Sequence, residues 1–521
     1  MRKFNVTGVC VQSKNYMVDI SNKIEKIKEL VDDCSYFTIN RARQYGKTTT
    51  LYALKRRLRH DYICLSLSFE GAGETMFTHA QSFCQRFLWQ LDAATQNEYP
   101  HENIKWQNPE ITDFDELSAH LTHLCANRKI VLMIDEVDRA GNHQIFLSFL
   151  GMLRHKYIER QGDLGATFHS VILAGVYDIK NIKLKMIHEG THTPAATENK
   201  QYNSPWNIAV NFKVDMSFNP DEIATMLAEY ENDHSTGMDI TALSEEIYRH
   251  TRGYPFLVSR VCQCLDEELG KEWTYDGIQN AVNRLLDEKN TLFDDLCKNL
   301  ENNKDLYHFI YNILIMGESY NFKFGNPVIE LAHTFGIIEN HNTVAVVSNR
   351  IFETLIYEYF ISKEQTNKEK KAVKAVLSSD VVSDGKFNMQ LCLEKFAAHY
   401  YELFSVKDVQ FLERHGRLLF LSYLRPLING AGFYHIESET RNQRRMDIVV
   451  DYNKEQFIVE LKLWHGETYK ESAYMQLLDY MAGKNTSTGY LLTFDFRRNQ
   501  NKQPCAQWME FNGRRIFDVV V

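Results

Sequence analysis

The stretch RARQYGKTTT, Arg41 to Thr50, decides how the first part of this chain reads. It follows the short apolar run Tyr36-Phe37-Thr38-Ile39, a buried strand by composition, and it opens a helical segment from Thr48 to about Leu58. A strand that passes through a tight loop into a helix gathers unpaired backbone N–H groups and the positive end of the helix dipole at one point, which suits a phosphate group. Gly46 lets the backbone approach phosphate oxygens, Lys47 supplies charge to the β/γ-phosphates of a nucleotide, and the Thr48 hydroxyl is a ligand for Mg²⁺. Arg43, Gln44, Tyr45 and Thr49 complete the loop expected to wrap ATP. The usual pattern places another glycine five residues before Gly46; here Arg41 stands there.

Working outward, Tyr62–Leu67, Ile130–Asp135 and Ser170–Val176 are apolar in unbroken runs separated by helical segments. Continuous rather than alternating runs indicate a parallel sheet covered on both faces, an α/β domain over residues 1–215. A helix is expected over residues 16–30, with Asp19 and Ser21 as caps. The run Val131–Ile134 ends in Asp135 and Glu136, an acidic pair at the strand end where α/β sheets place their ligands. Asp135 is expected to hold Mg²⁺ and Glu136 to polarise the attacking water. The plainer alternative is that Asp135 caps the following turn. Arg154 and Arg160, further on, are candidates for a charge-stabilising arginine or members of a solvated helical face.

RARQYGKTTT with IVLMID (Ile130–Asp135) resembles the AAA-like, STAND-type ATPases of prokaryotes often fused to restriction-type nucleases, a family whose phosphate loop also commonly has arginine for the first glycine. The likeness continues through AGVYDIKN (Ala174–Asn181) and GYPFLVSR (Gly253–Arg260), over roughly residues 8–360. It implies an ATPase core, a helical lid and a winged helix. After Pro220 the pattern is helical only, giving a lid over 216–290. Residues 291–361 then read as helices, a polar turn at Glu339–Asn342, a β-like piece at Thr343–Val347 and a last helix, the order of a winged helix. The charged, then small and polar, stretch 362–385 is the linker candidate. A second α/β unit occupies 386–521.

That unit contains RRMDIVVDYNKEQFIVELKLW (Arg444–Trp464), two β-like halves about a polar centre. A turn centred between Asn453 and Lys454 sets Asp447 opposite Glu460, on one sheet face about 5 Å apart at Cβ. Lys462, two residues on, shares that face. Two carboxylates so placed repel unless a cation sits between them, so Asp447 and Glu460 are expected to bind Mg²⁺, with Mn²⁺ as an alternative, and Lys462 to orient or deprotonate a nucleophile. A solvated hairpin face that merely carries Asp, Glu and Lys is the competing account. Gln476 and Tyr480 lie four residues apart on one face of a following helix.

The order helical Glu, hairpin Asp with Glu-x-Lys, then a Gln-x₃-Tyr helix resembles the PD-(D/E)XK nuclease superfamily over residues 390–500. The resemblance implies that Glu413, with Glu402 as the alternative, joins Asp447, Glu460 and Lys462, and that Gln476 and Tyr480 act as positioners near metal or phosphate. Arg441, Arg444 and Arg445 are candidates for phosphate-backbone contacts, or for a solubilising charge run.

The bulk of the chain fits this reading. It has 521 residues, 44% hydrophobic and 24% charged, too long for one core and ordinary for globular domains. There is no run of about 18 apolar residues and no signal-peptide core at the N-terminus, so a cytoplasmic protein without a membrane partner is expected. Ten cysteines without a Cys-x₂-Cys pair are read as reduced thiols rather than a zinc site. The net charge is −9, but from Lys386 onward 18 Lys and Arg face 16 Asp and Glu, so the acidic excess lies in the first 385 residues. The resulting expectation is an ATP-binding, Mg²⁺-dependent nuclease acting on DNA in preference to RNA, in prokaryotic defence or a mobile element, with self-association through the ATPase domain left open. A nucleotide-dependent binding switch that keeps its nuclease fold as a scaffold is the alternative.

Overall fold

The computed structural model describes residues 2–71, 73–140, 143–176, 206–315, 318–366, 381–383, 386–403, 419–421, 423–425, 427–428, 432–437, 447–453, 455–463, 467–483, 486–495, 505–511 and 513–521. Glu413, Arg441, Arg444 and Arg445 lie outside them. The chain divides into two compact units, residues 1–248, 253–263 and 334–336 in one, and residues 249–252, 264–333 and 337–521 in the other.

The first unit is built on strands β1 (Tyr36–Asn40), β2 (Ile63–Ser68), β3 (Ile130–Asp135) and β4 (Ser170–Gly175), all parallel in the order β1-β4-β3-β2. Both β3 and β4 are buried along their whole length, as their unbroken apolar runs require. Successive side chains feed two different cores. Phe37, Ile39, Val131, Met133 and Ile172 pack with helices α1 (Ser21–Asp32) and α2 (Lys47–Leu58). Tyr36, Leu132, Ile134, Val171 and Leu173 pack with α3 (Ala80–Glu98), α4 (Phe114–Cys125) and α5 (Gln144–Gln161). Each such apolar side chain contributes about 1.5–3 kcal/mol on burial, so the sheet is fixed from both sides.

Helix α1 starts at Ser21 rather than at residue 16, and its N-cap is Ile20, which makes no side-chain cap. The reason is that the preceding residues have other partners. Asp19 N–H donates to the Thr225 hydroxyl at 2.9 Å, the Asp19 carboxylate accepts from Ser21 N–H at 2.9 Å, and Tyr16 donates to Asp233 at 2.9 Å. Helix α6 (Pro220–His234) opens with a complete capping box: Asn219 accepts from the Glu222 amide while Glu222 accepts from the Asn219 amide. Lys23 of α1 pairs with Glu222 at 2.7 Å. Helices α7 (Ile240–Thr251) and α8 (Pro255–Glu267) follow.

The second unit begins with helices α9 (Tyr275–Leu286), α10 (Thr291–Asn302), α11 (Lys304–Leu314) and α12 (Pro327–Thr334). Strands β5 (Ile338–His341) and β6 (Val344–Val347) pair antiparallel, and α13 (Arg350–Thr366) comes next. The expected polar turn over 339–342 is mostly strand; the turn itself is Asn342-Thr343, both at positive φ (49° and 70°), the two-residue geometry that matches strand twist. The expected linker is shortened at both ends: residues 362–366 continue α13, and β7 (Val382–Ser383) pairs with β8 (Lys386–Phe387).

Beyond α14 (Met389–Leu403) lies a mixed sheet of β9 (Gly432–Glu437), β10 (Asp447–Tyr452), β11 (Glu455–Leu463), β12 (Thr488–Phe494), β13 (Cys505–Phe511) and β14 (Arg514–Val520), in the order β13-β14-β12-β11-β10-β9. The pairs β9–β10, β10–β11 and β13–β14 are antiparallel, while β11, β12 and β14 run parallel. Helix α15 (Glu467–Gly483) makes the crossover from β11 to β12 and packs Ala473, Tyr474, Leu477 and Met481 on Ile458, Leu491 and Ile516. Among the described residues no helix is long and apolar enough to cross a membrane, and all ten cysteines are free.

Candidate functional site

Each unit carries one candidate site. In the first, the chain leaves β1, passes Arg41–Gly46 and enters α2. Gln44 (φ 56°) and Gly46 (φ 75°) both take left-handed conformations, which turns successive amides of the loop inward as a concave anion cradle. Glycine at 46 meets that demand without strain. Lys47, 8% exposed, donates to the carbonyls of Arg41 and Ala42 at 2.9 Å each, so its ammonium is held across the mouth of the loop. Burial lowers the Lys47 pKa against the raising influence of Asp138, Glu136 and Asp135. Thr48 donates to the Asp135 carboxylate at 2.7 Å, which brings the two expected Mg²⁺ ligands together from α2 and the end of β3. A hydroxyl and a carboxylate, both hard oxygen donors, fit that ion.

Asp135 also accepts from the Glu136 amide at 2.9 Å, so capping the turn and meeting Thr48 are both true of it. Glu136 has φ 55°, a left-handed conformation that non-glycine residues seldom adopt and that clusters at functional positions. Burial, then the neighbouring Asp135 charge, pushes the Glu136 carboxyl above the ordinary carboxylate range. Thr49 turns away from the cradle and accepts from the Cys10 amide at 3.3 Å. Arg160 is neither a solvated residue nor a free cation: it donates to the carbonyls of Phe168, His169 and Cys34 and stacks on Tyr36. Arg154 has its Nε buried without a hydrogen-bond partner among the described residues.

Other residues reach this loop that sequence reasoning missed. Tyr254 donates to the Arg43 carbonyl at 2.5 Å and packs edge-on against Tyr45, with ring centroids 4.6 Å apart. Tyr45 also shares a hydrogen bond with Ser217 at 2.7 Å. Gly253 permits this approach: a Cβ there would lie 1.8 Å from the Phe218 carbonyl oxygen, and its φ is 71°. Asp138, just past the acidic pair, accepts from the Val176 amide at 2.6 Å and so ties the turn after β3 to the end of β4.

The second site lies on the mixed sheet. Asp447 of β10 pairs with Glu460 of β11, the partner expected from a turn at Asn453-Lys454, and Tyr452 pairs with Glu455 to close the turn. Asn453 sits at φ 44°, where asparagine is tolerated better than most residues. The register puts Asp447, Glu460 and Lys462 on one face. Glu460 is 1% exposed and Lys462 8%, so a solvated hairpin face is excluded for these two. Lys462 Nζ lies 2.6 Å from Glu460 Oε1 and donates to Gln476 Oε1 at 3.2 Å. The Gln-x₃-Tyr helix therefore delivers its glutamine to the lysine. Tyr480 instead joins the apolar contacts between α15 and the sheet.

One more carboxylate was missed on this face: Asp518 of β14, 1% exposed, accepts from the Tyr474 hydroxyl at 2.7 Å and anchors α15. A single Asp in a C-terminal strand gives no signal that could have found it. Among the described residues no three His, Cys, Asp or Glu side chains gather at metal-binding spacing. The pairing of Asp447 with the buried Glu460 keeps to the register expected for a two-carboxylate site, and Mg²⁺, which keeps several waters, is an ion that needs few carboxylates from the protein.

Comparison with known proteins gives one family to each of the two sites. The family model described as AAA-like domain matches residues 5–361, and the model of the PD-(D/E)XK nuclease superfamily matches residues 433–504. No curated protein matches the chain. Among solved structures it is similar to the Walker-type ATPase PABY2304 of Pyrococcus abyssi, at 12% identity and a TM-score of 0.48 over 68% of this chain and 99% of that one. It is also similar to the ORC2 protein of Aeropyrum pernix, in ADPNP-ADP complexes (12% identity, TM-score 0.36, 68% of this chain and 98% of that one) and in its ADP form (12%, 0.34, 70% and 98%).

Proposed function

The chain belongs to the AAA-like family and carries a C-terminal domain of the PD-(D/E)XK nuclease superfamily, and from that premise we propose that it is an ATP-controlled, Mg²⁺-dependent endonuclease acting on DNA. The observation that carries the proposal is the pairing of Asp447 with a buried Glu460, beside a Lys462 held by Gln476.

In this reading the amides from Gln44 to Thr48 bind the phosphates of ATP, and Lys47 transfers its ammonium from the Arg41 and Ala42 carbonyls to the β/γ-phosphates. Thr48 and Asp135 hold Mg²⁺. Glu136, with its raised pKa, accepts a proton from the attacking water. Tyr254 holds the loop through the Arg43 carbonyl. At the second site Asp447 and Glu460 hold Mg²⁺, with Mn²⁺ as a substitute. The ion there supplies charge neutralisation at the phosphorus oxygens and a more acidic water. Lys462, steadied by Gln476, would orient that water as a donor, and Tyr480 would fix the helix that carries Gln476. Glu413 is proposed to join them on the strength of the family resemblance alone. The segment α11-α12-β5-β6-α13 acts as a winged helix that grips nucleic acid or a partner, and the setting is prokaryotic defence or a mobile element.

A second reading has its own observation. Lys462 Nζ lies 2.6 Å from Glu460 Oε1, so the carboxylate has a cation of the chain itself beside it, as a nucleotide-dependent switch with a retained nuclease scaffold would require. Incubation with supercoiled, linear and single-stranded DNA, with and without ATP and divalent ion, separates the two. The nuclease cuts only with the ion, at a rate that depends on nucleotide, and loses cutting in Glu460→Ala and Lys462→Ala; the scaffold binds ATP and cuts nothing.

A further inference from the structure

Thr493 of β12 pairs in parallel register with Lys462 of β11. Paired residues on neighbouring strands project from the same face, so Thr493 stands beside Lys462 on the face that carries Asp447 and Glu460. It is 3% exposed, and its hydroxyl oxygen has no hydrogen-bond partner among the described residues. A buried hydroxyl left in that state costs about 1–3 kcal/mol, and folded chains keep few such groups without a reason. The pleat does not ask for a hydroxyl: valine has nearly the same shape and an equal preference for strands.

The position indicates what the hydroxyl answers to. Glu460 is paired with Leu491, an apolar neighbour, whereas Thr493 is one step further along the face, about 6–7 Å from the carboxylate row. It therefore stands level with Lys462 and one step along the face from Glu460. The Lys462 ammonium is itself held by Glu460 and Gln476, which leaves the hydroxyl beside it to serve a group from outside the chain. An ammonium and a hydroxyl on neighbouring strands, with the Glu460 carboxylate beside the ammonium, are complementary to a non-bridging oxygen of a phosphodiester whose phosphorus faces a metal ion.

We propose that the Thr493 hydroxyl is a further substrate-binding residue of this site, donating to a phosphate oxygen of the nucleic acid beside Lys462; the inference rests on the nuclease reading above. The test uses the full chain and the variants Thr493→Val, Thr493→Ser and Glu460→Ala, with plasmid DNA and Mn²⁺ as probes and the metal-free melting temperature as a second readout. Thr493→Val should cut with kcat/KM lowered about tenfold, the worth of one hydrogen bond to a charged oxygen. Thr493→Ser should stay within about threefold of the parent, and metal-free Thr493→Val should melt no lower than the parent, because it loses an unsatisfied hydroxyl.

If Thr493→Val cuts like the parent while Glu460→Ala is inactive, this inference falls and the nuclease reading stands. If metal-free Thr493→Val melts several degrees lower while Thr493→Ser does not, the hydroxyl serves the fold and the inference is overturned. A parent that cuts no DNA or RNA under any condition overturns both.

Discussion

Glu136 holds φ 55°, a conformation that costs a non-glycine residue about 1–3 kcal/mol. Its amide bonds Asp135 and its carboxyl is pushed up by burial, so the strained backbone places a carboxyl group of raised pKa at the end of β3. Glu136→Gln should keep ATP binding and lose at least about 100-fold in turnover; equal turnover in a phosphate-release assay would remove Glu136 from the chemistry. The sign of the pH effect follows from the raised pKa. A base must be deprotonated to act, so the acid limb of kcat should lie above the value of about 4.3 usual for glutamate, and a limb at or below that value would contradict the assignment. Gly253 shows the opposite relation to strain. Alanine there must adopt φ 71° and bring its Cβ against the Phe218 carbonyl, so Gly253→Ala should lower stability by about 3 kcal/mol or more. Thermal melting with and without ATP checks this, and it should also weaken nucleotide binding, because Tyr254 follows directly and holds the Arg43 carbonyl.

The β10–β11 hairpin sets the geometry of the second site through its register, since a slip of one residue would send Asp447 to the other face of the sheet. Asn453 guards that register at φ 44°. Asn453→Gly should be tolerated, while Asn453→Val should cost about 1–2 kcal/mol in urea unfolding; the reverse order would mean the turn does not need the left-handed conformation. In the first unit, Asn219→Ala should break the capping box of α6 at a cost of about 1 kcal/mol, and amide exchange should rise in its first turn. These elements were legible in the sequence because they are local: unbroken apolar runs gave the four parallel strands, and a period of two about a polar turn paired Asp447 with Glu460. What was not legible is non-local. Tyr254 reaches Arg43 across some 200 residues, Asp518 meets Tyr474 from a different strand, and Arg160 spends its charge on backbone carbonyls, none of which leaves a pattern in the residues nearby. Residues 16–19 stay outside α1 for a non-local reason as well, because Tyr16 and Asp19 bond to α6.

At the scale of the whole molecule the chain joins two sites of different chemistry. In the proposed function the first binds phosphates with amides and a lysine, and the second holds a divalent ion with two carboxylates beside a lysine. Lys47→Ala should abolish ATP binding and with it any nucleotide effect on cutting, while metal-dependent cutting without nucleotide persists. The central claim is that the face carrying Asp447, Glu460 and Lys462 cuts DNA with a divalent ion. Its most direct test is the rate at which purified full-length chain nicks or linearises supercoiled DNA in Mg²⁺ or Mn²⁺, set beside Glu460→Ala and Lys462→Ala. The account predicts ion-dependent cutting by the parent and a loss of at least about 100-fold in each variant. Cutting that survives both substitutions, or a parent that cuts nothing while still binding ATP, would contradict it.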